Sequence, residues 1–157
     1  MGTSCGYRLE GEGFSPSPEI RSIAIPTFTN ETYEPGIETI FTNALLKEFI
    51  KDRRVKVLGQ DEADAVMEGT VKSFKTSSVA YDPMGLVFEY RTWVKVDIIV
   101  KRTRRGEVLW SERGLSESDT YRVSSDVRFT EAQKEGAIQV IAGKLAGRIR
   151  RGFFEGM

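Results

Sequence analysis

Phe88, Tyr90, Thr92, Val94, Val96, Ile98 and Val100 alternate with Glu89, Arg91, Trp93, Lys95 and Asp97. A period of two puts the first set on one face of a β-strand and the second on the other. Upstream, Ala65, Met67, Gly69, Val71 and Ser73 alternate with Val66, Glu68, Thr70 and Lys72, predicting a half-buried strand over about 64–76. Residues 77–85 form the connecting loop. Arg104-Arg105-Gly106 reads as a turn, and residues 107–119 return as a further strand, so these three strands form an antiparallel meander. Near the front, Ile20, Ile23, Ala24, Ile25 and Phe28 make a short, nearly continuous apolar run, which suits a strand buried on both faces.

Two segments change period. Ile37, Ile40, Phe41, Ala44, Leu45 and Phe49 recur at spacings of three and four, with Thr42, Asn43, Lys47 and Lys51 on the opposite side, predicting a helix over about 36–52. A short extended piece from Val55 to Leu58 follows and stops at Gly59. Thr130 and Gln133 have capping-box spacing ahead of the stripe Ala137, Ile138, Ile141, Ala142, Leu145 and Ile149. Arg148, Arg150 and Arg151 then fall in the last turn, where the helix dipole favours cations, and Gly152 closes the helix.

The order β-α-β-β-β-α predicts an α+β fold with two helices packed on one face of a four-stranded mixed sheet. Its single domain spans 20–152, between a Gly-, Ser- and Pro-rich tether over 1–19 and a C-terminal tail over 153–157. If the strands and helices alternate in direction, Lys51, Arg53, Arg54, Lys56, Lys101, Arg102, Arg104, Arg105, Arg148, Arg150 and Arg151 all collect at the end where the tether enters. There Arg104 and Arg105 are candidates for contact with anionic lipid, although helix ends and hairpin turns also favour cations for solubility alone.

Composition narrows the chemistry. The 157 residues carry 23 Lys+Arg against 23 Asp+Glu, so no net field draws the chain to nucleic acid. With no histidine and one cysteine, a Ser-His-Asp triad, a Cys-His pair and every Cys/His zinc site are excluded. Gly11-Glu12-Gly13 lacks the strand, third glycine and helix of a dinucleotide site, and residues 61–64 (Asp-Glu-Ala-Asp) lack the spacing of a calcium loop. Glu89 and Asp97, flanked by Arg91 and Lys95, read as cross-strand ion-pair partners rather than an acid and base. The expectation is therefore a protein without catalytic residues, metal or cofactor. Trp93 sits on the polar face of its strand, where it either packs or meets a partner.

The lone Cys5 opens the run Cys5-Gly6-Tyr7-Arg8-Leu9. It is either an incidental terminal thiol or a lipidation site, in which case residues 1–4 are an artificial remnant replacing a removed signal peptide. Together with residues 23–32 (Ile-Ala-Ile-Pro-Thr-Phe-Thr-Asn-Glu-Thr), the early amphipathic helix, the meander and the terminal helix, this start resembles the lipopolysaccharide-assembly lipoprotein family, the LptE-like proteins, over Cys5 to about Arg151.

That resemblance implies a non-enzymatic lipoprotein, anchored in the membrane through its acylated cysteine, that plugs an outer-membrane β-barrel (LptD-like) translocon. Lipopolysaccharide is a further candidate ligand. It also implies lipopolysaccharide contacts near the loop over 77–85, which has no cation here, and in the loop before the last helix, which offers Arg122 and Arg128. A different periplasmic lipoprotein, activating a cell-wall synthase or serving a secretion assembly, fits the front half of the pattern as well.

Overall fold

The structure is a computed structural model that describes residues 20–156. Cys5 and the tether lie outside the described residues. The elements are β1 (Ser22–Ala24), β2 (Thr29–Asn30), α1 (Ile37–Ile50), β3 (Lys56–Val57), β4 (Ala65–Tyr81), β5 (Val87–Arg102), β6 (Val108–Arg122) and α2 (Val127–Gly156). The α+β class and the element order match the sequence reading. The sheet has six strands rather than four, ordered β3-β1-β4-β5-β6, with β2 also paired to β4.

Both additional strands have local causes. β1 and β2 run parallel to β4 at Ala65–Val66 and Thr70–Val71, forming one line of chain interrupted at Pro26, which has no N–H to give the ladder. Just past the interruption, the Phe28 N–H donates instead to the Thr42 hydroxyl at 2.9 Å. Thr42, expected on the outer side of α1, is accordingly buried. The Phe28 ring lies against Gly69, where any Cβ would collide with it, so the glycine is required by packing. The piece at 55–58 becomes β3, parallel to β1 through Lys56 and Val57.

α1 and α2 run side by side in the same direction. Lys134 near the start of α2 reaches Glu34, just ahead of α1, at 3.1 Å, while Arg150 reaches Glu48 at 3.0 Å. Between helices and sheet lies one core, in which Ile23, Phe49, Met67, Val94, Val96, Ile98, Val100, Ile141, Leu145 and Phe153 are at most 1% exposed.

The last helix departs from expectation at both ends. Asp126, not Thr130, caps its start: the Asp126 carboxylate accepts the N–H groups of Arg128 at 3.0 Å and Phe129 at 3.4 Å. Gly152 does not end it, and residues 153–156 are not a tail. The Trp110 indole of β6 lies against the helix surface at Gly152 and Gly156, where a Cβ would meet it at 2.9 and 2.5 Å. Phe153 and Phe154 are buried, Phe153 meeting the Phe49 ring edge-on and Phe154 stacking on it. The glycines therefore make room for an indole, and the arginines at 148–151 sit a turn or more inside the helix.

β4 continues through most of the stretch expected to be loop. It pairs with β5 as far as Tyr81↔Val87, leaving a tight turn over 82–86. There the Asp82 carboxylate accepts the N–H groups of Met84 and Leu86, each at 2.9 Å, and Gly85 takes a φ of 86°. At the opposite edge, β6 carries a bulge against Val96–Ile98. Gly114 occupies it with φ 71°, its N–H held by Asp97 at 2.8 Å. Two residues on, the edge carbonyl of Ser116 accepts from Arg148 of α2 at 2.9 Å.

Candidate functional site

At the end where the described chain begins, three loops converge. The Arg21 carbonyl accepts from Lys56 N–H at 2.9 Å, Asp64 accepts from Arg21 N–H at 2.8 Å, and the Asp64 carbonyl accepts from Thr103 N–H at 2.9 Å. Arg102, Arg104 and Arg105 border a cleft of about 590 Å³ there, together with Asp61, Asp64 and Glu107. The topology thus brings most of the predicted cations to this end, but acids accompany many of them, and Arg148 lies instead beside Ser116 and Glu117, which pair with Lys95 and Val94 midway along the sheet.

Arg102 pairs with Glu107 at 3.4 Å, Lys101 with Glu68 at 3.3 Å, and Arg148 with Glu117 at 2.9 Å. A denser network latches the helices: Arg150 spans Glu48 and Asp52, Arg54 pairs with Asp52 at 2.7 Å, and the Arg54 guanidinium lies 3.7 Å over the Phe154 ring. The hydrogen bond from Arg54 holds the Asp52 carboxyl below its usual range against burial. At Glu48 burial pushes upward, but the hydrogen bond from Arg150 and the charge of Lys51 win, and its pKa is lowered.

Among the described residues Arg53, Lys56, Arg104, Arg105 and Arg151 have no acidic partner. The expected block of eleven is thus a smaller set of available charges within a mixed-sign surface. Sequence reasoning had no signal for this, because the acids that neutralise Arg148 and Arg150 are 31 and 102 residues away.

The structure divides the predicted contact residues. Arg104 and Arg105 are exposed in the β5–β6 turn at the basic end, whereas Arg122 ends β6 and Arg128 begins α2 at the far end, both exposed. Near this second pair the β4–β5 hairpin projects Val79, Tyr81, Met84 and Leu86, which are 45–84% exposed. The four arginines do not form one site. The ion pairs expected on the open strand face are also absent among the described residues: Arg91 donates to the Ser118 hydroxyl at 3.1 Å, and Asp97 is occupied by Gly114.

Among the described residues no group of three His, Cys, Asp or Glu side chains is placed to hold a metal, and no helix is long and apolar enough to cross a membrane.

A comparison with curated proteins found no match. Solved structures share the fold. An uncharacterized lipoprotein B from Nitrosomonas europaea superposes with a TM-score of 0.60 at 14% identity, covering 96% of this chain and 91% of that one. The rare lipoprotein B from Shewanella oneidensis gives 0.52 at 15% identity, over 82% and 92%. A minor lipoprotein from Acinetobacter baumannii gives 0.52 at 14%, over 87% and 92%. The family model for LptE, lipopolysaccharide assembly, matches residues 20–152, essentially the folded domain, and the chain belongs to that family.

Proposed function

We propose that this chain is a non-enzymatic, lipid-anchored lipoprotein of the outer membrane that plugs an LptD-like β-barrel and assists its assembly and its delivery of lipopolysaccharide. The observation that carries the reading is the family match across the folded domain. In this account acylated Cys5 confines the domain to the periplasmic face of the membrane. Arg104 and Arg105, exposed beside the start of the domain and free of acidic partners among the described residues, rest against anionic headgroups. Arg122 and Arg128, at the far end, meet phosphate groups deeper in the barrel, where planar guanidinium groups suit phosphate oxygens.

A mixed-sign surface suits a barrel lumen, which is polar and lined with hydrogen-bonding groups. Charges of both signs on the plug find partners there without leaving one buried alone.

Affinity capture of the native lipoprotein from detergent-solubilised outer membranes tests the proposal. Recovery of a large β-barrel protein is the expected result, and recovery of a peptidoglycan synthase instead would overturn it. Mass spectrometry of the processed chain should show a diacyl or triacyl mass on Cys5; a bare thiol would remove the anchor.

A further inference from the structure

The cleft at the end where the described chain begins keeps opposite charges apart. Asp61 and Glu62, in the turn ahead of β4, line it together with Arg104 and Arg105 of the β5–β6 turn. All four side chains are exposed. Among the described residues none of them has an ion-pair partner, across the cleft or elsewhere. The backbone fixes this arrangement. The Asp64 carbonyl accepts from Thr103 N–H at 2.9 Å and ties the two turns at their bases, while the charges at their tips lie beyond ion-pair distance.

A second feature belongs to the same tie. Thr103 lines the cleft, and its buried hydroxyl has no hydrogen-bond partner among the described residues. A buried hydroxyl left unpaired costs free energy, and a ligand oxygen lodged between the turns would supply the partner. The volume, about 590 Å³, is that of a site for a small polar group.

We infer that this cleft binds the zwitterionic phosphoethanolamine headgroup of a membrane lipid. Arg104 and Arg105 donate charge-assisted hydrogen bonds to the phosphate oxygens, Asp61 and Glu62 accept from the primary ammonium, and the Thr103 hydroxyl donates to a phosphate or ester oxygen. A headgroup with a phosphate alone would satisfy the arginines but bring negative charge beside two carboxylates. A choline headgroup has no N–H to donate and is characteristically held in an aromatic cage; no aromatic side chain lines this cleft. The inference rests on the lipid-anchored reading for the source of the headgroup and deepens it. Arg104 and Arg105 face the membrane in either case, and the acids that share their cleft select which lipid they hold.

The test is a nuclear magnetic resonance titration of the full chain with glycerophosphoethanolamine, glycerophosphocholine and inorganic phosphate. Glycerophosphoethanolamine should shift the amides of residues 61–64 and 102–105. The other two should bind at least about fivefold more weakly, the loss of one exposed charge pair. Combining Asp61→Asn with Glu62→Gln should abolish the preference for ethanolamine over choline. Both changes conserve size in an exposed turn, so the spectrum should stay dispersed as in the parent. In co-sedimentation, the unacylated chain should prefer phosphatidylcholine vesicles containing phosphatidylethanolamine to those containing phosphatidylglycerol, and the double variant should reverse that order.

Equal responses to the ethanolamine and choline compounds would overturn the site, as would inorganic phosphate binding as well as either, or no response at all. A parent chain that prefers phosphatidylglycerol vesicles would do the same, while leaving the family reading intact. If Cys5 proves to carry a bare thiol while the cleft still separates ethanolamine from choline, the headgroup site stands and the anchor does not.

Discussion

The two faces of β5 are built from neighbouring residues and have opposite fates. Val94, Val96, Ile98 and Val100 are at most 1% exposed beneath the helices, while Arg91, Trp93, Lys95 and Asp97, interleaved with them, face away. One strand therefore separates folding energy from surface chemistry at a spacing of a single peptide. Changes on the covered side should register in stability, and changes on the open side should leave it nearly unmoved.

The largest effect is expected where the helices close the covered face. Phe153→Ala removes a fully buried ring touching Phe49, Phe154 and Trp110 and should cost about 3–5 kcal/mol in urea unfolding. A change under 1 kcal/mol would mean that residues 153–156 do not close the core. Gly152→Val places a branched side chain against the Trp110 indole. Overpacking of this kind typically costs about 1–3 kcal/mol, and an unchanged thermal midpoint would contradict the close approach.

Asp52→Asn probes the latch between the helices, at a side chain only 8% exposed. Lost charge-assisted hydrogen bonds predict about 1–3 kcal/mol at neutral pH. The Asp52 pKa is lowered in the fold from its ordinary 3.8, and that of Glu48 from 4.5. Their contribution is therefore full above those values and is lost as the pH falls through the lower, folded ones. Urea unfolding from pH 7 downward should show the parent and Asp52→Asn converging in acid; a gap that persists at pH 2 would show that the loss is not electrostatic. The smallest effect belongs to the open face, where Lys95→Ala should stay within about 0.5 kcal/mol of the parent by the same measurement. A larger loss would mean that this face is packed.

The sequence revealed most where a single element decides the outcome. The alternation around Val94–Val100 and the stripe of α1 appear nearly as read, since both patterns answer to one buried side. What escaped depended on distant partners. Gly152 carries the sequence mark of a helix stop, yet Trp110, far away in the chain, needs the space; the apolar pair Phe153-Phe154 was the available hint. β4 was read too short because Ser77 and Ser78 dilute the alternation that Val79 and Tyr81 continue. The basic end followed from topology, but its neutralisation by Glu48, Asp52 and Glu117 required knowing which helix turns face which strands. Trp93 was legible as an anomaly on its strand, and that Asp61 and Glu62 share a cleft with Arg104 and Arg105 emerged only from the fold.

The kink at Gly114 has a wider consequence. β6 is an outer strand fifteen residues long, and a flat strand of that length is a template for stacking copy upon copy. Its mid-course bend breaks the straight run, and Arg148 claims an adjacent acceptor that an incoming chain would need. Crowded copies would thereby resist fibril growth without losing any of the sheet that shapes them.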